Sequence, residues 1–349
     1  MKLDGPVLRQ VDPGTHPGFD VVLQSRVALD RNLKDTPFPW RLEADRLSAI
    51  GVRLAGALEV SGFRVSSIGT LDAAQRTALA DRDLYPRPYL MDDTRLVAVH
   101  PVLPAWVLIN EKEHISIRVG LAGADLTKAW DRVSSIDDAL SALLPWAFDA
   151  GTGYLFSEAR RCGSGMRATA TLHLPALVSA GLADLALRKA MEQGILAGGS
   201  YSTSGASSDH LFSLTLESVP SEAEGVSIGR LSAVVATIAE YERRVRTDLL
   251  ASSPWEVLDI CGRALGRAAG AWMVSWDETA EILSGLRLGT SLGIILGMSL
   301  EEVSDLWLSL KMHRSAFISR EDEPEVQRRA RQLRKASRSL RLNEEFLDV

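Results

Sequence analysis

In the first two thirds of the chain, segments with the hydrophobic period of a β-strand alternate with segments that have the period of an α-helix. Short apolar runs, some with alternating polar positions, are typical of β-strands and occur at residues 19–29, 105–110, 114–121, 167–174 and 210–218. Apolar residues three and four apart are typical of amphipathic helices and occur at residues 43–59, 129–148, 175–194 and 228–249. Within residues 129–148, the sequence SSIDD offers side chains that can cap a helix start. The pattern predicts an α+β fold.

The two ends of the chain differ from this central part. Residues 1–20 are rich in proline and glycine and predict a leader without regular structure. The sequence ASSPWE, at residues 251–256, combines an N-cap with a proline and marks the best domain boundary. After it, the pattern is helical through Arg341. We therefore predict a main domain at residues 21–250 and a helical domain at residues 251–349.

Composition narrows the classes of function. Of the 349 residues, 46% are hydrophobic and the formal net charge is −6, which argues against nucleic-acid binding through bulk charge. No apolar stretch approaches ~18 residues, so we expect no membrane span. No basic segment followed by an apolar one opens the chain, and the two cysteines cannot form a disulfide framework. We therefore expect a cytoplasmic protein.

The sequence INEKEH, at residues 109–114, raises the question of an acid/base cluster. Together with residues 21–42, 137–177 and 287–308, it resembles the ATP:guanido phosphotransferases, and most closely the bacterial protein-arginine kinases. These stretches occur in the family's order and cover nearly the whole chain. The resemblance implies an antiparallel β-sheet flanked by helices, followed by an all-helical C-terminal domain. It also implies ATP and Mg as cofactors.

The resemblance implies site residues that can be compared one at a time. The family binds ATP phosphates with five arginines and uses a glutamate to hold and deprotonate the guanidinium acceptor. The first motif, here QSRVALDR, keeps its first phosphate arginine as Arg26 and has Ala28 at the second, while Arg31 matches a later arginine of the motif. In NEKEHIS, the catalytic glutamate is replaced by Lys112 and a phosphate arginine by Ser116.

The second half of the site also departs from the family. In SEARRCGSGMRAT, Glu158 stands where the family has a reactive cysteine, and Arg167 keeps a phosphate arginine. The family's last arginine and an acidic substrate contact lie in a glycine-rich loop, which here is AGGSYSTSGASSD. That loop contains no arginine and no glutamate; the counterparts are Gly198 and Thr203, within a residue or two. We therefore expect no intact catalytic residue.

The loss of the glutamate has a direct electrostatic consequence. A carboxylate ~4 Å from a guanidinium is favourable by about 4 kcal/mol at an effective dielectric constant near 20, and an ammonium there is unfavourable by a similar amount. A neutral Lys112 could serve as a base, but it would still fail to hold a cation. Glu111 or Glu113 could replace it only if the backbone bulges, because neighbouring side chains of a strand alternate faces.

Several interpretations of the remaining charges stay open. Lys112 and Glu158 are predicted to form an ion pair that closes the site. Arg118, two residues beyond Ser116 on the same strand face, could reach a shifted phosphate, as could Arg160 and Arg161. Residual nucleotide binding is therefore assigned to Arg26, Arg31, Arg118 and Arg167. In the alternative, Arg26 and Arg167 are structural anchors to carboxylates.

The helical domain departs from the family as well. Protein-arginine kinases dimerise through it and use an RDxxRA-like motif to bind phosphoarginine; here Pro324 and Glu325 replace the Arg-Asp pair and Arg328 is kept. The basic segment at residues 328–341 predicts a solvated charged helix face, with binding of nucleic acid or an acidic partner as the alternative.

These losses together predict a catalytically degenerate protein-arginine-kinase-like protein, a pseudokinase that acts as a binding or regulatory partner. We expect a homodimer. By family analogy, its partners would be an active paralogue, an activator protein or AAA+ protease components. The competing hypothesis is an active ATP-dependent phosphotransferase with a rearranged site. A third hypothesis is an interaction module that uses the basic tail and no nucleotide.

Overall fold

The computed structural model describes residues 16–81, 84–199, 209–217, 222–311 and 324–346. The chain divides into two compact units. Unit 1 contains Met1–His16, Gln24–Ala170 and Thr215–Ala233, and unit 2 contains Pro17–Leu23, Thr171–Leu214 and Val234–Val349. The division at residue 250 proposed from the sequence stays a prediction.

Strands form at the predicted apolar runs, and further short strands form elsewhere in the chain. They are β1 (Val22–Arg31), β2 (Arg64–Ser67), β3 (Leu96–Val99), β4 (Ala105–Ile109), β5 (Ile115–Ala122), β6 (Phe148–Asp149), β7 (Gly153–Tyr154), β8 (Met166–His173), β9 (Leu196–Gly199), β10 (Leu211–Glu217), β11 (Ile295–Leu296) and β12 (Arg341–Leu342).

The helices account for most of the remaining described residues. They are α1 (Ala44–Val60), α2 (Ala73–Asp81), α3 (Leu126–Ser141), α4 (Pro175–Ser179), α5 (Ala183–Met191), α6 (Glu224–Ser252), α7 (Pro254–Gly270), α8 (Trp276–Ser291), α9 (Leu300–Lys311) and α10 (Glu325–Ser337).

An eight-stranded sheet has the order β2-β3-β4-β5-β1-β8-β10-β9. The pairs from β2 to β1 in this order are antiparallel. In the β1–β5 pair, Arg26 lies opposite Gly120, Ala28 opposite Arg118 and Asp30 opposite Ser116. Because opposite residues of an antiparallel pair project to the same side, this register fixes which polar side chains share a face.

Each unit buries its own apolar core. In unit 1, β4 is buried along its whole length, and α1 and α3 pack against the strands. In unit 2, the buried side chains come mainly from α7, α8, α9 and α10 and include Cys261, Leu283, Trp307 and Leu333. The predicted α+β fold, an antiparallel sheet with helices followed by a helical region, is confirmed.

Several predicted boundaries are wrong, because local pattern does not define where a helix ends. Helix α3 starts at Leu126, so SSIDD lies inside the helix and is not its cap. The helix predicted at residues 175–194 is interrupted: Gly181 has a φ of 70° between α4 and α5. The tail is not wholly helical, because β11 and β12 form an antiparallel pair.

Among the described residues, no helix combines the length and the apolar character that crossing a membrane requires.

Candidate functional site

The INEKEH segment is a tight turn between β4 and β5. The amide of Asn110 donates to the carbonyl of His114 at 2.9 Å, and Asn110 itself has a φ of 58°, a left-handed conformation that asparagine tolerates better than most residues. Its side chain donates to the carbonyl of Leu47 at 2.8 Å. The turn places Lys112 at its tip. Glu111 and Glu113 therefore do not lie in a strand, and their side chains need not point to the face opposite Lys112.

The ion pair predicted between Lys112 and Glu158 is present. The Lys112 ammonium contacts Oε1 of Glu158, and the two side chains remain 42% and 31% exposed. The ammonium therefore has a carboxylate partner within the chain. Because the pair is partly exposed, solvent screens it, and its contribution to stability is about 1 kcal/mol or less.

Glu113 has a different and wholly internal set of partners. Its side chain is buried and accepts hydrogen bonds from Asn32 Nδ2 at 2.7 Å, from the Ser157 amide at 3.1 Å and from Ser157 Oγ at 2.6 Å. Arg161 approaches it at 3.6 Å. Carboxylate oxygens with these partners are committed to holding the turn against residues 155–161.

Arg161, in the segment SEARRCGSGM at residues 157–166, is held by acidic residues. Its guanidinium forms an ion pair with Asp30 at 2.5 Å and a longer one with Glu113. Burial opposes the charge, but Asp30 and then Glu113 raise the pKa of Arg161 above its usual value. The positive charge of Arg161 is thus balanced by two carboxylates of the same chain. The sequence alone allowed Arg161 to reach a shifted phosphate and gave no sign of these partners. The side chain of Arg160 lies outside what the structure describes.

Three of the predicted nucleotide ligands do come together. Arg26 and Arg118 share a sheet face through the β1–β5 register, and Arg118 Nε donates to Ser116 Oγ at 3.1 Å. Burial is the largest influence on Arg118 and lowers the pKa of its guanidinium, and the positive charges of Arg26 and Arg167 act in the same direction. The position predicted for Arg118, on the face of Ser116, is therefore observed.

The partners of Arg26 and Arg167 fit both interpretations made from the sequence. Arg26 lies over the Trp106 ring at 5.2 Å and donates to Gln24, and neither contact is with a carboxylate. Arg167 pairs with Glu217 at 3.0 Å, and these side chains are 44% and 48% exposed. An exposed pair of this kind is weak enough for an anion to displace.

Arg31 is not part of this group. It is 3% exposed and its guanidinium pairs with Asp137 at 2.6 Å. It also donates to the carbonyls of Asp30 and Ser164 at 2.8 Å each, and it stacks on the Tyr154 ring. Because its hydrogen-bond donors are used within the fold, Arg31 holds β1, α3 and the segment around Ser164 together. Its assignment as a nucleotide ligand is not supported by this geometry.

The other predicted positions are distributed over the two units. Gly198 lies in β9, and Thr203 lies outside the described residues. In the tail, Arg328 is 8% exposed. Arg329 is also buried and pairs with Glu325 at 2.6 Å. The basic segment is therefore only partly a solvated face. Among the described residues, no group of three or more His, Cys, Asp or Glu side chains could hold a metal ion.

His114 makes folding stability depend on pH. It is fully buried, and burial lowers its pKa to about 4, whereas the unfolded value is near 6.5. The unfolded state therefore binds the proton first, and stability is lost as the pH falls from about 6.5 to about 4. At pH 5 we expect about 2 kcal/mol of loss relative to pH 7. Urea unfolding at both pH values measures it.

The matched variant is His114→Asn, whose oxygen can replace the ring nitrogen that accepts the Leu33 amide at 3.3 Å. Its stability should change less than that of the wild type between pH 7 and pH 5. An equal change in both proteins would assign the effect to other groups, such as His173 and His210, whose pKa values burial also lowers.

Comparisons with known families match the two parts of the chain separately. Residues 56–245 match the ATP:guanido phosphotransferase C-terminal catalytic domain, and residues 254–346 match the protein-arginine kinase McsB C-terminal domain. A protein-arginine kinase of Symbiobacterium thermophilum is 29% identical over 93% of each chain. Another, from Pelotomaculum thermopropionicum, is 30% identical over 87% of each chain.

Solved structures agree on the fold. The crystal structure of lombricine kinase has a TM-score of 0.57 at 16% identity, covering 70% of this chain and 72% of that one. The duplicated taurocyamine kinase of Schistosoma mansoni, with bound transition state analog components, has the same TM-score and identity over 72% of this chain and 38% of its own. The chain belongs to the ATP:guanido phosphotransferases and, within them, to the protein-arginine kinase family.

Proposed function

We propose that this member of the protein-arginine kinase family has lost arginine phosphorylation in its own site and acts as a binding and regulatory partner. The observation that carries the proposal is Lys112, an ammonium paired with Glu158 at the position where the family has its catalytic glutamate. A cationic acceptor would meet a cation there, and the carboxylate beside it is already paired. Glu113, the nearest buried carboxylate, is occupied by Asn32, Ser157 and Arg161.

The sheet face supports a retained anion site. Arg26 and Arg167 each lie close enough to Arg118 to lower the pKa of its guanidinium, and arginine is the residue best suited to bind phosphate oxygens. ATP would place its phosphates there, and its Mg would be carried mainly by those phosphates, as is usual for this ion. When bound, ATP supplies a transferable phosphoryl group. The chain's residues would hold its phosphates without activating an acceptor.

The second candidate function is an active protein-arginine kinase with a rearranged site. The comparisons support it more directly than the first candidate, because the relatives above are named protein-arginine kinases and match up to 93% of the chain. The turn geometry also leaves Glu111 near the Arg118 charge, so a carboxylate other than residue 112 is available. In this case Glu111 would take the proton.

The proposed partners come from family analogy. They are a second copy of this chain in a homodimer, an active paralogue, an activator protein, or AAA+ protease components, in the cytoplasm. A binding protein that retains the kinase fold could occupy a surface that an active kinase also uses. We propose a role in protein-arginine phosphorylation or protein quality control on this basis.

Phosphoryl transfer from radiolabelled ATP distinguishes the two functions. With Mg, free arginine and an arginine-containing peptide, we expect no transfer by the purified protein above the background without enzyme. Calorimetry should still detect ATP binding, and Arg118→Ala should weaken it by about tenfold, since hydrogen bonds to charged groups contribute about 1.5–3 kcal/mol. Robust transfer by the wild type that is lost in Arg167→Ala would establish the active kinase instead.

A further inference from the structure

Helix α10 presents one face on which every exposed side chain that carries charge is basic. At 100° per residue, Arg331, Arg334, Lys335 and Arg338 fall within an arc of about 100°. Arg331, Lys335 and Arg338 are exposed, and Arg334 is half-buried. We call these four residues the basic face. The one acidic residue of α10, Glu325, pairs with Arg329 on the buried side.

This charge arrangement is unfavourable for the isolated helix. Arg331 with Lys335, and Arg334 with Arg338, are like-charge pairs four residues apart, and such pairs destabilise a helix. Packing does not require them, because the core contribution of α10 comes from Ala330 and Leu333. A negatively charged partner would reduce this repulsion at Arg334, Lys335 and Arg338.

A large apolar side chain lies beside the basic face, and a second follows it in sequence. Trp272 and Met273, in the segment between α7 and α8, are 75% and 64% exposed. The Arg334 guanidinium lies 4.2 Å from the centroid of the Trp272 ring and also donates to the carbonyl of Ala271. This contact fixes the indole at the edge of the basic face. Trp, Met and Arg are the residues most enriched at protein–protein interfaces.

We propose that the basic face, together with Trp272 and Met273, is a docking surface for an acidic protein segment that carries apolar side chains. Its carboxylates would lie against the basic face, and its apolar side chains would cover Trp272 and Met273. This surface lies away from the Lys112 site in sequence and requires neither nucleotide nor catalysis, so it is independent of the proposed function.

Two other anionic partners fit less well. A bilayer requires a helix with an apolar face to insert, and α10 uses its apolar residues Ala330 and Leu333 in the core. A nucleic acid is attracted mainly through phosphate charge, and the net charge of −6 on the whole chain opposes a long polyanion.

Fluorescence anisotropy with the full-length protein tests the surface. The probe is a fluorescein-labelled peptide in which glutamates alternate with phenylalanine and leucine, and a peptide of glutamate and serine with the same charge is its control. We expect binding of the first peptide, weakened by about tenfold or more in Arg331→Glu/Lys335→Glu/Arg338→Glu and in the single variant Trp272→Ser. The glutamate–serine peptide should bind more weakly than the first.

The matched control reverses three exposed arginines of unit 1, as Arg46→Glu/Arg53→Glu/Arg64→Glu. It makes the same change in net charge and should leave peptide binding unchanged. Circular dichroism checks that both triple variants fold, and Trp272→Ser keeps the test valid if the tail variant does not. Absent peptide binding, or equal weakening by both triple variants, would overturn the proposal. So would preferential, α10-dependent binding of single-stranded DNA or of vesicles of phosphatidylcholine and phosphatidylserine.

Discussion

Restoring the family's residues at four positions should create arginine kinase activity. In the variant Lys112→Glu/Glu158→Cys/Ala28→Arg/Ser116→Arg, a carboxylate again faces the acceptor and two phosphate arginines return. General base catalysis contributes about 10²–10⁴-fold. We therefore expect transfer from ATP to arginine to rise by at least about 10²-fold over the wild type. Radiolabel transfer and detection of acid-labile phosphoarginine measure it.

The control for this gain is the same variant with Lys112→Gln in place of Lys112→Glu. Glutamine removes the positive charge but provides no base, so this protein should remain inactive. Activity in the glutamine variant would mean that repulsion alone blocks the wild type and that another carboxylate, such as Glu111, takes the proton. A loss of wild-type activity on Lys112→Glu would contradict the proposed function, because Lys112 would then be part of a working site.

Removing Glu242 should cause the largest loss of stability. This carboxylate of α6 is fully buried and accepts a hydrogen bond from Arg246 Nε at 2.7 Å. It also accepts the amides of Ala176 and Leu177, at the start of α4, at 3.1 Å and 2.9 Å. In Glu242→Ala the guanidinium of Arg246, 4% exposed, stays buried without the carboxylate that it pairs with, while the Asp20 charge remains nearby. Breaking a buried pair in this way costs about 3–5 kcal/mol, measurable by urea unfolding.

Glu240 provides a matched control two residues earlier on the same helix. It is 64% exposed and lies 3.7 Å from Arg243, so Glu240→Ala should change the unfolding free energy by about 1 kcal/mol or less. Glu242→Gln, which keeps an acceptor for the α4 amides but loses the charge, should fall between the two. Similar losses for Glu240→Ala and Glu242→Ala would show that the buried pair has no special weight.

Long-range charge partners were the main feature that sequence analysis missed. Arg161 was considered as a ligand of a shifted phosphate, yet Asp30 and Glu113 hold it. Arg31 was expected to bind nucleotide, yet it pairs with Asp137, which is 106 residues away. Each of these arginines satisfies a sequence pattern for anion binding. The acid that each arginine contacts depends on the strand register and on the path of residues 157–166. Neither is encoded by the local sequence.

The INEKEH turn illustrates the same limit on a smaller scale. Its residues continue an apolar run and precede an alternating one, so pattern alone favours a strand. The left-handed conformation of Asn110 and its hydrogen bond to His114 reverse the chain instead. As a result, Lys112 and Glu113 both reach the segment around residues 157 and 158, although alternation would have sent them to opposite faces.

The sequence by itself determined the family and the α+β fold class. These properties follow from the order of motifs and from hydrophobic periodicity, which a linear chain carries directly. Only the tertiary structure decided which arginines share a face and which form ion pairs with buried acids. Ion pairs depend on distances of a few ångströms between residues far apart in sequence, and folding alone sets those distances.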